Sequence, residues 1–135
     1  MTFSLALKLY GVAVACFVVL DMIWLTAVAN GMYKRLLGPL LRDQPNIPAA
    51  VVFYLLFLAG LTYFAIAPAV DGASVGDALL KGALFGLVTY ATWDLTNLSV
   101  LRGFPAAIVP IDMAWGAALG AGVSAITWTV ADRFF

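Results

Sequence analysis

The chain has 135 residues, of which 64% are hydrophobic and only 10% are charged. A soluble domain carries about 25% charged residues, so this chain lacks the polar surface of a water-soluble protein. We predict an integral membrane protein that has the lipid bilayer as its surroundings. The formal net charge of zero disfavours nucleic acid as a partner. With one cysteine, no intrachain disulfide or thiolate metal cage is possible. No residue is assigned as a metal ligand, and the cofactor is unknown.

Four long apolar runs predict the fold. Each has at least the roughly 20 residues that an α-helix needs to cross a hydrocarbon core of about 30 Å. Helices are the expected spans because lipid leaves no partner for free backbone polar groups. The runs cover residues 5–29, 48–68, 79–101 and 105–130. We predict one all-α domain, residues 1–135, in which four transmembrane helices form a bundle.

Aspartates interrupt three of these runs. They lie in "LDMIW" (Asp21), "TWDLTN" (Asp94) and "IDMAW" (Asp112). An aspartate at the centre of a membrane helix costs about 2.5–3.5 kcal/mol on insertion scales. Because alternate helices run in opposite directions, all three side chains are expected roughly 10 to 15 Å below the same membrane face. We therefore predict that they face a common interior site rather than lipid.

Aromatic and amide side chains accompany these aspartates at helical spacing. Residues three or four apart share a helix face, which puts a tryptophan, tyrosine or asparagine beside each carboxylate. The predicted ligand-binding residues are Asp21, Trp24, Tyr90, Trp93, Asp94, Asn97, Asp112 and Trp115. No catalytic residue is identified. In the alternative interpretation, the aspartates only accept hydrogen bonds from their neighbours and tie the helices together.

Small residues predict close helix contacts. Gly82 and Gly86 in the third run, and Gly116 and Gly120 in the fourth, are small-xxx-small pairs that let another helix approach. Four short helices form only a thin layer of protein around a site, and helix faces lined with glycine would let a second copy of the chain pack closely. A homodimer is therefore predicted.

The segment 30–47 mixes leucines with basic residues on the side of the aspartates. It fits a short segment lying among lipid headgroups, and it fits an ordinary basic loop equally well. The basic residues expected at headgroup level are Lys34, Arg35, Arg42 and Arg102. This side has one more basic residue than the opposite side, which has Lys8, Lys81 and Arg133. The positive-inside rule then favours a cytoplasmic location for the aspartate side, with both termini outside.

The first and third apolar runs share a short sequence pattern. "IWLTAVANG" at 23–31 and "TWDLTNLSV" at 92–100 share a Trp, a Leu-Thr and an Asn, which predicts two duplicated helical hairpins. The second helix, however, carries no acid where the fourth has Asp112.

The blocks "LDMIW", "TWDLTNL" and "IDMAWG", in that order, resemble a family of small bacterial predicted membrane proteins of unknown function. The resemblance covers nearly the whole chain and implies a multi-pass protein of the bacterial inner membrane, without assigning a role to any residue.

Two functions follow from an intramembrane acidic site. In the first, the protein binds or transports a cation, a proton, or a small or lipidic ligand. In the alternative, it is a membrane-embedded lipid-modifying enzyme or enzyme subunit. The aspartates would then act as general acid, general base or metal ligands, and basic residues would bind the phosphate of a lipid headgroup. A purely structural subunit is a third possibility. The sequence lacks a phosphotransferase signature, an iron-binding histidine cluster and an activated serine motif, which favours the first function.

Overall fold

The computed structural model describes every residue from Met1 to Phe135, and its regular structure is entirely helical. The chain forms four rods. The first contains α1 (Phe3–Ile23), a π-helical segment (Trp24–Ala29), α2 (Asn30–Leu37) and a 3₁₀ turn (Gly38–Leu40). The second contains α3 (Ile47–Leu61), a π-helical segment (Thr62–Ile66) and α4 (Ala67–Asp71). The third and fourth rods are the single helices α5 (Val75–Val100) and α6 (Ile108–Phe134).

Three of the four rods are long and apolar enough to cross a membrane. They are Phe3–Leu40, Ile47–Asp71 and Ile108–Phe134. The chain is therefore an all-α, multi-pass membrane protein, as its composition predicted. The remaining rod, α5, has 26 residues and is long enough to cross. It is not apolar enough to be counted with the others, and it carries Asp77, Lys81 and Asp94. Length and composition thus support three of the four predicted crossings.

The first rod extends beyond residue 29, where the first apolar run ends. Its helix continues to Leu37, so most of the segment 30–47 is helical and only residues 41–46 connect the first two rods. One face of α2 packs on the start of α6, through Tyr33, Leu36 and Leu37 against Phe104, Ile108 and Val109. The opposite face exposes Lys34 and Arg35. This segment is therefore an amphipathic helix rather than an irregular basic loop.

Polar side chains cap the starts of three rods. The oxygens of Thr2, Asn46 and Ser74 accept hydrogen bonds from the backbone N–H groups of Leu5, Ala49 and Asp77. Each cap satisfies one of the N–H groups that a first helical turn leaves free. The helix starts are thus fixed by local chemistry in addition to the match between apolar length and membrane thickness.

The predicted close-packing glycines join α5 to α6 in an antiparallel hairpin. A Cβ atom on Gly86 would overlap the carbonyl oxygen of Gly116, and one on Gly82 would overlap that of Gly120. The two backbones are therefore in direct contact along this seam. Because these glycines already pack against each other within one chain, they do not provide the free helix faces on which the homodimer prediction relied.

The apolar core lies in the half of the bundle that is nearer the chain termini. On α1 it contains Leu9, Ala13 and Phe17, which repeat every four residues and so lie on one helix face. Asp21 is the next residue of the same stripe and is also buried. The apolar packing between α1 and its neighbours therefore gives way to carboxylates at this level, which is where the candidate site lies.

Candidate ligand-binding site

A cavity of about 350 Å³ lies between the four rods, on the loop side of the core. Its walls come from the end of α1 and the following π-helical segment, from α2, and from α3, α5 and α6. The lining residues are Asp21, Trp24, Leu25, Tyr33, Ala50, Phe53, Tyr54, Thr89, Tyr90, Trp93, Asp112 and Trp115. Two carboxylates thus face a chamber in which most other walls are aromatic and no residue is basic.

Asp21 is one of the two carboxylates and is only 5% exposed. Its Oδ2 accepts a hydrogen bond from the hydroxyl of Tyr54, at 3.0 Å. Tyr54 lies on α3, and its ring packs against Phe17 with 4.8 Å between ring centroids. The hydrogen bond therefore joins the first rod to the second at the level where the apolar core ends.

Asp112 is the other carboxylate, near the start of α6, and is 7% exposed. Its Oδ1 accepts a hydrogen bond of 2.7 Å from the hydroxyl of Tyr33. The oxygen of Tyr33 in turn accepts a hydrogen bond of 3.3 Å from Nε1 of Trp24. These two hydrogen bonds link the π-helical segment, α2 and α6. They orient the rings of Trp24 and Tyr33 toward the carboxylate of Asp112.

Trp24 and Trp115 form a stacked pair in the cavity wall. Their ring centroids are 4.4 Å apart and their planes differ by 5°. Nε1 of Trp115 is buried near Asp21 but makes no well-formed hydrogen bond. The stacking therefore brings the first rod against α6 directly beside the carboxylates.

Asp94 lies behind the cavity wall rather than on it. It is fully buried, and neither carboxylate oxygen has a hydrogen-bond donor. The carboxyl group of Asp112 is its charged neighbour. Two ionised carboxylates can only accept hydrogen bonds, so this pair needs a proton or a positive charge. Asp21, Asp94 and Asp112 do not form a group of three that could hold a metal ion.

The α5 side of the cavity is made by Tyr90 and Trp93. A side chain on Gly116 would run into the ring of Tyr90, so this glycine makes the room that the ring occupies. Trp93 is 50% exposed and packs edge-on against Phe104, with 5.5 Å between ring centroids. One aromatic side chain of α5 therefore points inward, and the other reaches the outer surface of the bundle.

The structure brings together most of the residues that the sequence predicts for the site. Six of the eight line the cavity: Asp21, Trp24, Tyr90, Trp93, Asp112 and Trp115. Asp94 lies behind Asp112, and the half-buried Asn97 is not in the cavity wall and makes no side-chain hydrogen bond. The four basic residues are all exposed and form no ion pair: Lys34, Arg35, Arg42 and Arg102.

Sequence reasoning missed two tyrosines that hold the carboxylates. Tyr33 belongs to a segment that looks like a basic loop, and Tyr54 lies in the one apolar run that has no acid. Both donate to aspartates on another rod. Spacing rules within a helix cannot find such pairs, because the two partners lie on different rods.

Membrane-spanning helices around an acidic and aromatic cavity define a helical multi-pass membrane protein with a partly open cavity between its helices. The chain belongs to the family described as predicted membrane protein (DUF2177), whose model matches residues 6–129. This match confirms the resemblance indicated by the three aspartate motifs. None of the curated proteins and none of the solved structures matches the chain.

Proposed function

We propose that this protein binds a small ligand inside the membrane, in the cavity between its rods. The observation that carries the proposal is the presence of Asp21 and Asp112 on the wall of a cavity of about 350 Å³. Ligand pockets typically measure about 300–1,000 Å³, with mostly apolar walls and a few polar groups that orient the ligand. A cavity of this kind gives the buried carboxylates a role beyond tying helices together.

The proposal includes a fourth crossing by α5. This helix runs antiparallel to α6 along the glycine seam, and α6 is itself long and apolar enough to cross. Two of its charges lie near its start, where Lys81 pairs with Asp77 at 3.3 Å. The third, Asp94, is fully buried inside the bundle. Its charges therefore do not prevent α5 from crossing beside α6.

The site residues and the location of the protein belong to the same proposal. Residues of the cavity wall would contact the ligand, and the exposed Lys34 and Arg35 of α2 would lie at headgroup level. Placement in a bacterial inner membrane is supported by the family resemblance. Homodimerisation, duplicated hairpins and a cytoplasmic location for the aspartate side stay predictions.

Filling the cavity tests whether it holds a ligand. Ala50 lines the cavity on α3, whereas its neighbour Ala49 is exposed on the same helix. Ala50→Phe should occupy the chamber without removing any polar group, and Ala49→Phe serves as the matched control. Mass spectrometry of molecules extracted from the purified proteins should find a compound with the wild type and Ala49→Phe that Ala50→Phe lacks.

The same measurement separates binding from the alternative lipid-modifying enzyme. A binding protein returns its ligand unchanged, whereas an enzyme incubated with the recovered compound converts it to a product of different mass. Equal contents in all three proteins, with equal melting temperatures, would show that the cavity holds no ligand.

A further inference from the structure

We propose that the ligand of this cavity is an organic cation, meaning a protonated or quaternary amine that carries an apolar substituent. This inference rests on the proposed function and names the chemical class of its ligand. It follows from the charge, the aromatic surface and the opening of the cavity, which are separate features of the structure.

The cavity has carboxyl groups without positive partners from the chain. Asp21 and Asp112 are 5% and 7% exposed, and each accepts a hydrogen bond from a neutral tyrosine. The two ion pairs of the structure involve other carboxylates, those of Asp71 and Asp77. A buried ionised carboxylate is costly without a counter-charge. A cation in the cavity would supply the charge that the chain does not.

Asp94 places a further carboxyl group behind the wall of the cavity. It is fully buried with both oxygens unpartnered, and the carboxyl group of Asp112 is its charged neighbour. The wall of the cavity is therefore backed by a second carboxylate that no donor of the chain satisfies. A positive group next to Asp112 would stabilise both members of this pair.

The aromatic walls favour an organic cation over a metal ion. The faces of tryptophan and tyrosine attract ammonium groups that lie within about 6 Å of the ring centroid. The indoles of Trp24 and Trp115 and the ring of Tyr90 line the chamber beside the carboxylates. Hard metal ions such as Mg²⁺ need about six oxygen ligands. Two carboxylates line the cavity, and most of the remaining lining residues are aromatic side chains, which do not supply the further oxygen ligands that such an ion would need.

The opening of the cavity accounts for the apolar substituent. Phe53 on α3 and Trp93 on α5 both line the cavity and are 46% and 50% exposed. The chamber therefore reaches the outer surface of the bundle between these two helices, and in a membrane that surface meets lipid. An apolar group attached to the cation would lie between the two rings and extend toward the acyl chains.

Two probes that differ only in charge test the inference. Benzyltrimethylammonium is a quaternary amine with an aromatic substituent, and neopentylbenzene is its neutral isostere with carbon in place of nitrogen. Binding to the wild-type protein in lipid nanodiscs is followed by tryptophan fluorescence, because Trp24 and Trp115 line the cavity. We expect the cation to bind at least about tenfold more tightly than the isostere, a ratio that corresponds to about 1.4 kcal/mol.

Variants then assign the selectivity to the carboxylates. Asn keeps the size of Asp and still accepts a hydrogen bond, but it has no charge. Asp21→Asn and Asp112→Asn should each weaken binding of the cation about tenfold and leave the isostere unchanged. Asp43→Asn, in the exposed connection 41–46, should alter neither affinity. The comparison of the two probes on the wild type does not depend on whether a variant folds.

Each outcome supports or overturns the inference. If both probes bind equally and Ala50→Phe removes both, the cavity binds ligands without preferring cations, so this inference fails while the proposed function stands. If neither probe binds at any pH from 5 to 9, the cation assignment fails. If, in addition, no compound is recovered from the wild type, the proposed function fails as well.

Discussion

At the scale of single residues, Tyr33 connects parts of the site that are far apart in the sequence. Its hydroxyl donates to Asp112, which is 79 positions away, and accepts from Trp24. The phenol is a donor and an acceptor at once, so it satisfies a carboxylate and an indole with one group. Removing the Tyr33 hydroxyl should therefore break two hydrogen bonds of the site while hardly changing the shape of the side chain.

Tyr33→Phe tests this role. The substitution removes only the hydroxyl and leaves a buried carboxylate oxygen without its donor, so we expect a loss of about 1–3 kcal/mol in the free energy of unfolding. Tyr63→Phe is the control, since Tyr63 is 73% exposed and makes no side-chain hydrogen bond. Unfolding in mixed micelles would be followed by circular dichroism. Equal stability of the two variants would mean that the Tyr33 hydrogen bond contributes nothing.

The sequence predicts the carboxylates of the site better than their partners. Asp21 and Asp112 are identifiable because an aspartate in a membrane helix is expensive and has to face the interior. Tyr33 and Tyr54 are not, because their aspartates are 79 and 33 positions away. The position of Asp94 is a further difference. Its spacing puts it on the same helix face as Tyr90, but packing against α6 buries it behind the cavity wall.

At the scale of helices, α5 and α6 form the most closely packed pair of the molecule. Their backbones touch at two glycine pairs, and Tyr90 fills the space above Gly116. Membrane helices associate through such packing because lipid tails remove the hydrophobic drive that acts in water. The seam therefore sets the distance between the wall that carries Tyr90 and the wall that carries Asp112.

Gly86→Ala should separate these two helices. Its Cβ would overlap the backbone carbonyl of Gly116, which cannot move aside as a side-chain end can. Overpacking of this kind costs about 1–3 kcal/mol, and we expect the melting temperature in detergent to fall accordingly. The control is Gly11→Ala on α1, where a Cβ meets nothing within 4 Å. A variant Gly86→Ala that melts at the same temperature as the wild type would show that the two backbones are not in contact at this position.

The sequence predicts the number of rods and the glycine seam, but not the π-helical segments. Apolar runs and small-xxx-small spacing are local signals, whereas a π-helical turn changes the helical repeat within an otherwise continuous helix. The first such segment begins at Trp24 and leads into α2. It carries the helix past residue 29, where the apolar run ends, and so turns an expected loop into the helix that supplies Tyr33.

At the scale of the whole molecule, the number of crossings decides where the termini lie. Four crossings place Met1 and Phe135 on the same side of the membrane and the connection 41–46 on the other. Three crossings, with α5 outside the bilayer, would put the termini on opposite sides. The structure therefore links the proposed path of α5 to a property that can be measured without a ligand.

Reporter fusions should give one signal at both termini and the opposite signal within the connection 41–46. The reporters would be placed before Met1, after Phe135 and beside Asp43, which is exposed in that connection. Expression of each fusion in membranes serves as the control for insertion. Opposite signals from the two termini would contradict a fourth crossing.

The stacked tryptophans and bonded tyrosines also bear on the entropy of binding. Trp24 and Trp115 hold each other by stacking, and Tyr33 and Tyr54 are each fixed by a hydrogen bond to a carboxylate. Ordering a rotamer-rich side chain at a binding surface costs about 0.5–1.5 kcal/mol. Because these four rings lose their freedom when the chain folds, the proposed ligand would meet a preorganised wall, and most of the remaining ordering cost would be that of the ligand itself.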